Sequence, residues 1–159
     1  MRIGIMGDTH GDFGAMDRIL RQAGEVDLWL HTGDYSQDVA HLRSLTNKSV
    51  QSVCGNCDSY EGRSPKEAIL HLEGFTLALV HGHQYLLPDS LANLAFWGRS
   101  KNAQVVIFGH THVALTEMVE DVLLVNPGSP SRPRRGLPSY AELYLLRGEK
   151  PVANICYLD

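Results

Sequence analysis

The spacing of apolar residues along this chain changes character near its middle. "RIGIM" at 2–6 is a short apolar run that stops at the turn signal Gly7-Asp8, which predicts a buried strand. Phe13, Met16, Ile19, Leu20 and Ala23 then recur at helical spacing behind Asp12, a suitable N-cap. "VDLWLHT" predicts a second strand stopping at Gly33-Asp34, the segment from Ser36 to Leu45 a second helix, and "SVQSVC" a third strand stopping at Gly55-Asn56. Strand, helix, strand, helix, strand argues an α/β fold with a parallel sheet.

The second half is richer in strands. "AILHL" and "FTLALVH" flank Glu73-Gly74 and predict a hairpin. Pro88 and Asp89 open a predicted helix carrying Leu91, Leu94 and Ala95, and "QVVIFGH" predicts a further strand. Short strands follow around 113–119, 122–125, 142–146 and 152–157, so antiparallel hairpins are expected here. No repeat, low-complexity tract or linker interrupts the chain, and its 159 residues suit one domain spanning 1–159. The Pro- and Gly-rich "NPGSPSRPRRGLPS" reads as a shaped surface loop between strands.

Composition narrows the function classes. Apolar residues make up 43%, as in ordinary globular proteins. Net charge is −4 and no basic stripe is visible, which argues against non-specific nucleic-acid binding and leaves nucleic acid only as a candidate substrate. No apolar run reaches membrane-spanning length, and the N-terminus reads as a strand, not a signal peptide. Three cysteines, Cys54, Cys57 and Cys156, form an odd, low count that suggests a reducing cytoplasm. Self-association as a homo-oligomer stays open.

Candidate chemistry collects at the strand ends. Asp8 and His10 follow the first predicted strand, Asp34 the second and Asn56 the third, while His81 and His83 follow "FTLALV" and His110 and His112 follow "QVVIF". In open α/β sheets, ligands bind beyond the carboxyl ends of strands. Carboxylates, an amide oxygen and imidazoles form a hard-to-borderline N/O set, suited to Mn²⁺, Fe, Zn²⁺, Ni²⁺ or Co²⁺. The set is too large for one tetrahedral zinc and about right for two ions sharing a carboxylate, a known device for in-line displacement at phosphorus. Two divalent ions against Asp8 and Asp34 would leave roughly two positive charges, which attract an anionic ester.

Asp8-Thr9-His10, Gly33-Asp34, Gly55-Asn56-Cys57-Asp58, His81 in "LVHGH" and Gly109-His110-Thr111-His112 occur in order, each after a predicted strand. Together they resemble the calcineurin-like metallophosphoesterases, and "GDTHG", "HGH", "GHTH" and "NPGS" resemble the small bacterial and archaeal phosphodiesterase branch. The resemblance implies a four-layer sandwich of two mixed β-sheets flanked by helices. It implies a metal-dependent phosphodiesterase in which a bridging hydroxide attacks phosphorus in line. By the same resemblance Asp8, His10 and His112 would hold one ion, Asn56, His81 and His110 the other, and Asp34 would bridge. Mn²⁺ is the first expectation for both ions, with Ni²⁺, Fe, Zn²⁺ and Co²⁺ as alternatives. Cyclic nucleotides, nucleic-acid ends, phospholipid head groups and small diesters are all compatible substrates.

The departure is Cys57, where many relatives have a histidine proposed to protonate the leaving group. A thiol is a weak donor and a poorer general acid than imidazolium. Catalysis is therefore expected to centre on Asp34 and Asn56 with Cys57 at the substrate, and Asp58 and His83 are further candidates. A protein-binding scaffold of the same fold, like the member that serves as a trafficking-coat subunit, is the alternative function. Redox chemistry by the Cys54/Cys57 pair is disfavoured, because the following "DSYEGRSP" is turn-like where a dithiol site usually opens a helix. His31 and His71 are expected to be structural and His41 to lie on a solvated helix face. Arg132, Arg134 and Arg135 read as a solvated charged loop in preference to phosphate contacts. Asn126, Gly128 and Ser129 read as a tight turn near the metals, and Trp29 and Trp97 as packing residues.

Overall fold

In the computed structural model, which describes residues 1–35, 37–58, 64–86 and 90–159, ten strands form two sheets of five. In the first, β1 (Arg2–Met6), β2 (Leu28–His31) and β3 (Ser49–Ser52) run parallel, and β9 (Ser139–Tyr144) and β10 (Val152–Tyr157) add antiparallel to β1, giving the order β10-β9-β1-β2-β3. In the second, β4 (Glu67–Leu72), β5 (Phe75–Val80), β6 (Val105–Ile107), β8 (Val122–Asn126) and β7 (Leu115–Val119) lie in the order β4-β5-β6-β8-β7.

The expected β4–β5 and β7–β8 hairpins form, and β5, β6 and β8 are mutually parallel, so the second sheet is mixed, as the resemblance implies. Helix α3 (Leu91–Ser100) lies between β5 and β6 in the chain and makes that parallel crossover. The expectation that Pro88 and Asp89 open α3 falls outside the described residues. The ninth strand starts three residues earlier than expected, at Ser139, and stops before the turn at Gly148.

Each layer follows from its apolar pattern. Ile3, Ile5, Leu28, Leu30, Ala141 and Leu143 of the first sheet face Leu77, Leu79, Val105, Ile107, Leu123 and Val125 of the second. The alternate residues of the first sheet, Met6, Trp29, Val50 and Tyr140, pack on α1 (Phe13–Ala23) and α2 (Asp38–Leu45). Helix α1 buries Ala15, Met16, Ile19 and Ala23 and is capped by Asp12, whose Oδ1 accepts from the Ala15 amide at 2.9 Å. Gly4 has no side chain because the Trp29 ring lies over it. Ala78, Val80, Val106, Phe108 and Leu124 pack on α3 through Leu94, Ala95 and Trp97. Trp29 and Trp97 are thus packing residues, as expected. Among the described residues no helix is long and apolar enough to cross a membrane.

Candidate functional site

The parallel strands of both sheets deliver polar side chains to one place. Asp8 and His10 follow β1, Asp34 follows β2 and Asn56 follows β3, while His81 follows β5 and His110 and His112 follow β6. Ligand atoms of Asp8, His10, Asp34 and His112 all lie within 4.8 Å of one another. The backbone is bent to aim these side chains. Asp8 (φ 50°), His10 (48°), Asp34 (58°), His110 (70°) and His112 (57°) all adopt the left-handed conformation that non-glycine residues avoid. The turns are held from both sheets: the Asp8 amide donates to the Gly33 carbonyl at 3.1 Å, the His110 amide to Asp8 Oδ2 at 3.0 Å and the Cys57 amide to Asp34 Oδ1 at 2.9 Å. Gly55 must be glycine because a Cβ there would overlap Asp34 Oδ1.

Hydrogen bonding assigns the free ring nitrogens. A carbonyl oxygen only accepts, so His81 donates from Nδ1 to the Thr32 carbonyl oxygen at 2.9 Å, and in this tautomer the lone pair is on Nε2. That lone pair faces Asn56 Oδ1 at 3.0 Å and Asp34 Oδ1 at 3.5 Å. His110 Nδ1 approaches the same Asn56 oxygen at 3.1 Å. His112 is set the same way: Nδ1 donates to the Arg132 carbonyl at 2.8 Å, and Nε2 faces Asp8 Oδ1 at 3.4 Å and His10 Nε2 at 3.2 Å. Asp8 Oδ1 is buried with no hydrogen-bond partner. Acceptors aimed at acceptors in a buried site repel unless a cation or proton lies between them. These residues therefore fit a divalent ion, and the N/O donor set fits a hard-to-borderline one.

The electrostatics agree. Burial pushes the His10 and His110 imidazoles below their usual range, aided by His112 and His81 respectively, so both rings are neutral near pH 7. For His112 the adjacent Asp8 carboxylate outweighs burial and raises the ring. Burial pushes the Asp34 carboxyl up, but His81 and the Cys57 amide and thiol outweigh it and hold the group below the usual carboxylate range. Burial, then the Asp34 carboxylate, pushes the Cys57 thiol up, so it stays protonated at neutral pH.

The remaining expected residues surround this centre. Cys57 is exposed at the rim, and Cys54 and Cys57 are both free thiols. Asp58 Oδ2 accepts from the Gly55 amide at 2.7 Å and closes the turn carrying Asn56. The His83 ring lies 5.5 Å from that of His81 and 6.0 Å from that of His110, and its Nδ1 is buried without a partner. His31 is structural, as expected: Gly33 donates to its Nδ1 at 3.2 Å, and its Nε2 lies 3.0 Å from Thr9 Oγ1. His71 Nδ1 is 3.1 Å from Thr76 Oγ1 across the β4–β5 pair. His41 is not simply solvated; it stacks on Phe13 with ring centroids 4.1 Å apart. Asn126 shapes the expected turn, accepting from the Gly128 amide at 2.9 Å and donating to the Gly109 carbonyl at 3.0 Å.

The arginine loop is exposed, as expected, and it also borders the centre. Arg132 and Arg134 line a pocket of about 350 Å³ together with His10, Asp34, Asn56, Cys57, His110 and His112. Ser129 Oγ donates to the Asp8 carbonyl at 2.8 Å, Ser131 Oγ to the Thr9 carbonyl at 3.0 Å and the Arg134 amide to the His112 carbonyl at 3.0 Å, so the loop is strapped to the centre. A larger hollow of about 690 Å³ beside Met1 and Val152 holds none of these ligand residues. Sequence reading also missed Thr32, Thr9 and Asp38. Asp38 Oδ2 accepts from Thr9 Oγ1 at 2.5 Å and from the Gly11 amide at 2.8 Å, fixing the turn between Asp8 and His10. The only trace of this in the sequence is a carboxylate in the first turn of α2.

Residues 1–147 match the calcineurin-like phosphoesterase superfamily domain. The chain is 35% identical over 159 residues to a probable metallophosphoesterase of Methanothermobacter thermautotrophicus, covering 98% of this chain and 91% of that one. It is 29% identical to phosphodiesterase YfcE of Escherichia coli, covering 87% and 84% of the two chains. Among solved structures, an archaeal phosphodiesterase superposes with TM-score 0.78 at 24% identity over 98% of this chain and 100% of that one. Vps29 of Entamoeba histolytica superposes with TM-score 0.77 at 22% identity over 100% of both. These last two likenesses concern the fold.

Proposed function

The chain belongs to the calcineurin-like phosphoesterase superfamily and is a metallophosphoesterase, and from that premise we propose that it hydrolyses phosphodiesters at a centre of two divalent ions. One set of lone pairs, on Asp8, His10 and His112, would hold the first ion; a second, on Asn56, His81 and His110, would hold the other; Asp34 would lie between them. The observation that carries this reading is the pair of oriented imidazoles. His81 and His112 each spend Nδ1 on a backbone carbonyl and turn Nε2 towards carboxylate oxygen. Bound ions would supply Lewis acidity and nucleophile activation, with Mn²⁺ first among the fitting metals.

The chain's own residues divide the remaining work. Arg132 and Arg134, at the pocket wall, neutralise and orient the anionic ester. Cys57 acts through its backbone amide, which holds Asp34, while its protonated thiol is a weak donor at the rim. Leaving-group protonation therefore does not rest on Cys57, and esters with acidic leaving groups are the favoured substrates. Asp58 is a positioning residue for Asn56. A purely scaffolding role is not favoured, because every proposed ligand is present and oriented.

The test is hydrolysis of bis(p-nitrophenyl) phosphate by protein loaded in turn with Mn²⁺, Ni²⁺, Co²⁺, Zn²⁺ and Fe²⁺, against the Asp34→Asn variant. Turnover by the wild type and its loss in the variant support the reading. Equal rates in both, or none with any metal, overturn it.

A further inference from the structure

Beside the metal pocket lies a second hollow of about 330 Å³. Leu86 and Val113 form its apolar wall, Arg134 and Arg135 its cationic rim, and His83 borders it. His110 and Arg134 line both hollows, so the two adjoin, and we treat them as halves of one groove.

Three features of the second half point to a ligand. No carboxylate among the described residues lies within ion-pair distance of Arg134 or Arg135, although the chain carries 18 acidic residues against 14 Lys plus Arg. The backbone that carries these exposed arginines is also held in place, because the Arg134 amide is bonded to the His112 carbonyl and Ser129 and Ser131 pin the loop to the Asp8 and Thr9 carbonyls. His83 lines this hollow and its Nδ1 is buried with no partner, whereas buried polar atoms ordinarily have one. Two arginines and an apolar wall lining one hollow match a planar or tetrahedral oxyanion carried on a short carbon arm.

We propose that this half of the groove is a subsite for a second anionic group, a phosphate or a carboxylate, on the substrate arm remote from the scissile phosphorus. The substrate class becomes a phosphoester bearing two separated anions. This rests on the phosphoesterase reading and sharpens it: the metal centre sets the bond cleaved, and Arg134, Arg135 and His83 select the arm.

The experiment compares p-nitrophenyl phosphodiesters whose second arm is ethyl, carboxyethyl or phosphoethyl, with Mn²⁺-loaded wild type, Arg135→Ala and Arg135→Lys. The readout is the ratio of kcat/KM for each charged arm to that for the ethyl arm. A ratio of about 10 in the wild type, falling to about 1 in Arg135→Ala and partly restored in Arg135→Lys, is expected for a charge-assisted contact. Gain with both charged arms assigns a general oxyanion site, and gain with the phosphoethyl arm alone assigns a phosphate site. A wild-type ratio near 1, or a ratio unmoved by Arg135→Ala, overturns the proposal. If no diester is hydrolysed, the hydrolytic reading fails separately. The subsite is then read by calorimetric titration of metal-free protein with inorganic pyrophosphate, where roughly tenfold weaker binding by Arg135→Ala supports it; equal or absent binding in both proteins overturns it.

Discussion

His81 hands its Nδ1 hydrogen to the Thr32 carbonyl oxygen at 2.9 Å, and that single bond turns Nε2 towards Asn56. Thr32 leads into Gly33-Asp34, so the first sheet sets the orientation of a candidate ligand supplied by the second. Asn56→Ala removes the oxygen that both His81 and His110 face. It is expected to lower bound metal from two ions to one per chain by elemental analysis. Diester hydrolysis should fall by at least about 100-fold, beyond what loss of an outer supporting group costs.

Cys57 separates backbone from side chain. Cys57→Ser keeps the amide that binds Asp34, so metal content should be unchanged and kcat/KM should stay within about threefold, the thiol being only a weak donor. Asp34→Asn should lose both metal and activity. A Cys57→Ser protein that binds metal normally yet is inactive would give the thiol a role in catalysis.

Gly55 tests the close packing of the centre. In Gly55→Ala the new methyl group overlaps Asp34 Oδ1, so metal affinity and activity should collapse. The interior between the sheets is untouched, and thermal unfolding should report a loss of about 1–3 kcal/mol, typical of overpacking. Normal metal binding in this variant would show that the turn relaxes freely.

Asp38 acts at one remove. Asp38→Asn weakens the contacts to Thr9 and the Gly11 amide that fix the turn between Asp8 and His10. Metal affinity is expected to fall by about 10–100-fold, as for other outer supporting groups. The measurement is competitive metal titration, with circular dichroism confirming that the fold persists.

A pH effect is expected far from the candidate metal centre. Burial pushes the Glu142 carboxyl up, but hydrogen bonds from Arg2 and Tyr144 outweigh it and hold the group below its usual range. A carboxyl lowered in the folded state contributes stability above its unfolded value, near pH 4.3, and loses it as pH falls through the folded value. Arg2 is a third exposed, so the contribution is discounted to about 1–2 kcal/mol. Glu142→Gln should therefore be less stable than wild type at pH 7, with the gap closing below about pH 4 in urea titrations. A gap independent of pH would assign the effect to packing.

Much of this architecture was legible because chemistry sits where apolar runs stop. Asp8, Asp34, Asn56, His81 and His110 each follow a strand within a few residues, and glycine marks most of those turns. The direction of β6 was not legible: "VVI" reads the same in a parallel or antiparallel neighbour, and only α3 between β5 and β6 decides it. Thr32 was missed because it contributes a backbone carbonyl, which any residue carries. That Arg132 and Arg134 border the pocket was not legible, because the straps that hold their loop, Ser129 and Ser131, bond to residues more than 100 positions away. His41 looked solvent-facing on α2 alone, and the Phe13 ring it stacks on belongs to α1.

The proposed ligands come from both sheets: Asp8, His10, Asp34 and Asn56 from one, His81, His110 and His112 from the other. An ion held there is a rivet through the sandwich at a single margin. At 100 times its dissociation constant such an ion adds about 2.7 kcal/mol to the folded state. The stiffening would be uneven, greatest for amides of Leu77–Val80 and Val105–Ile107 beside the rivet and least for Val152–Tyr157 on the outermost strand of the first sheet. Chelation should then let the two sheets shear apart from the metal end inwards, so the ion that serves chemistry would also set the order in which the protein comes undone.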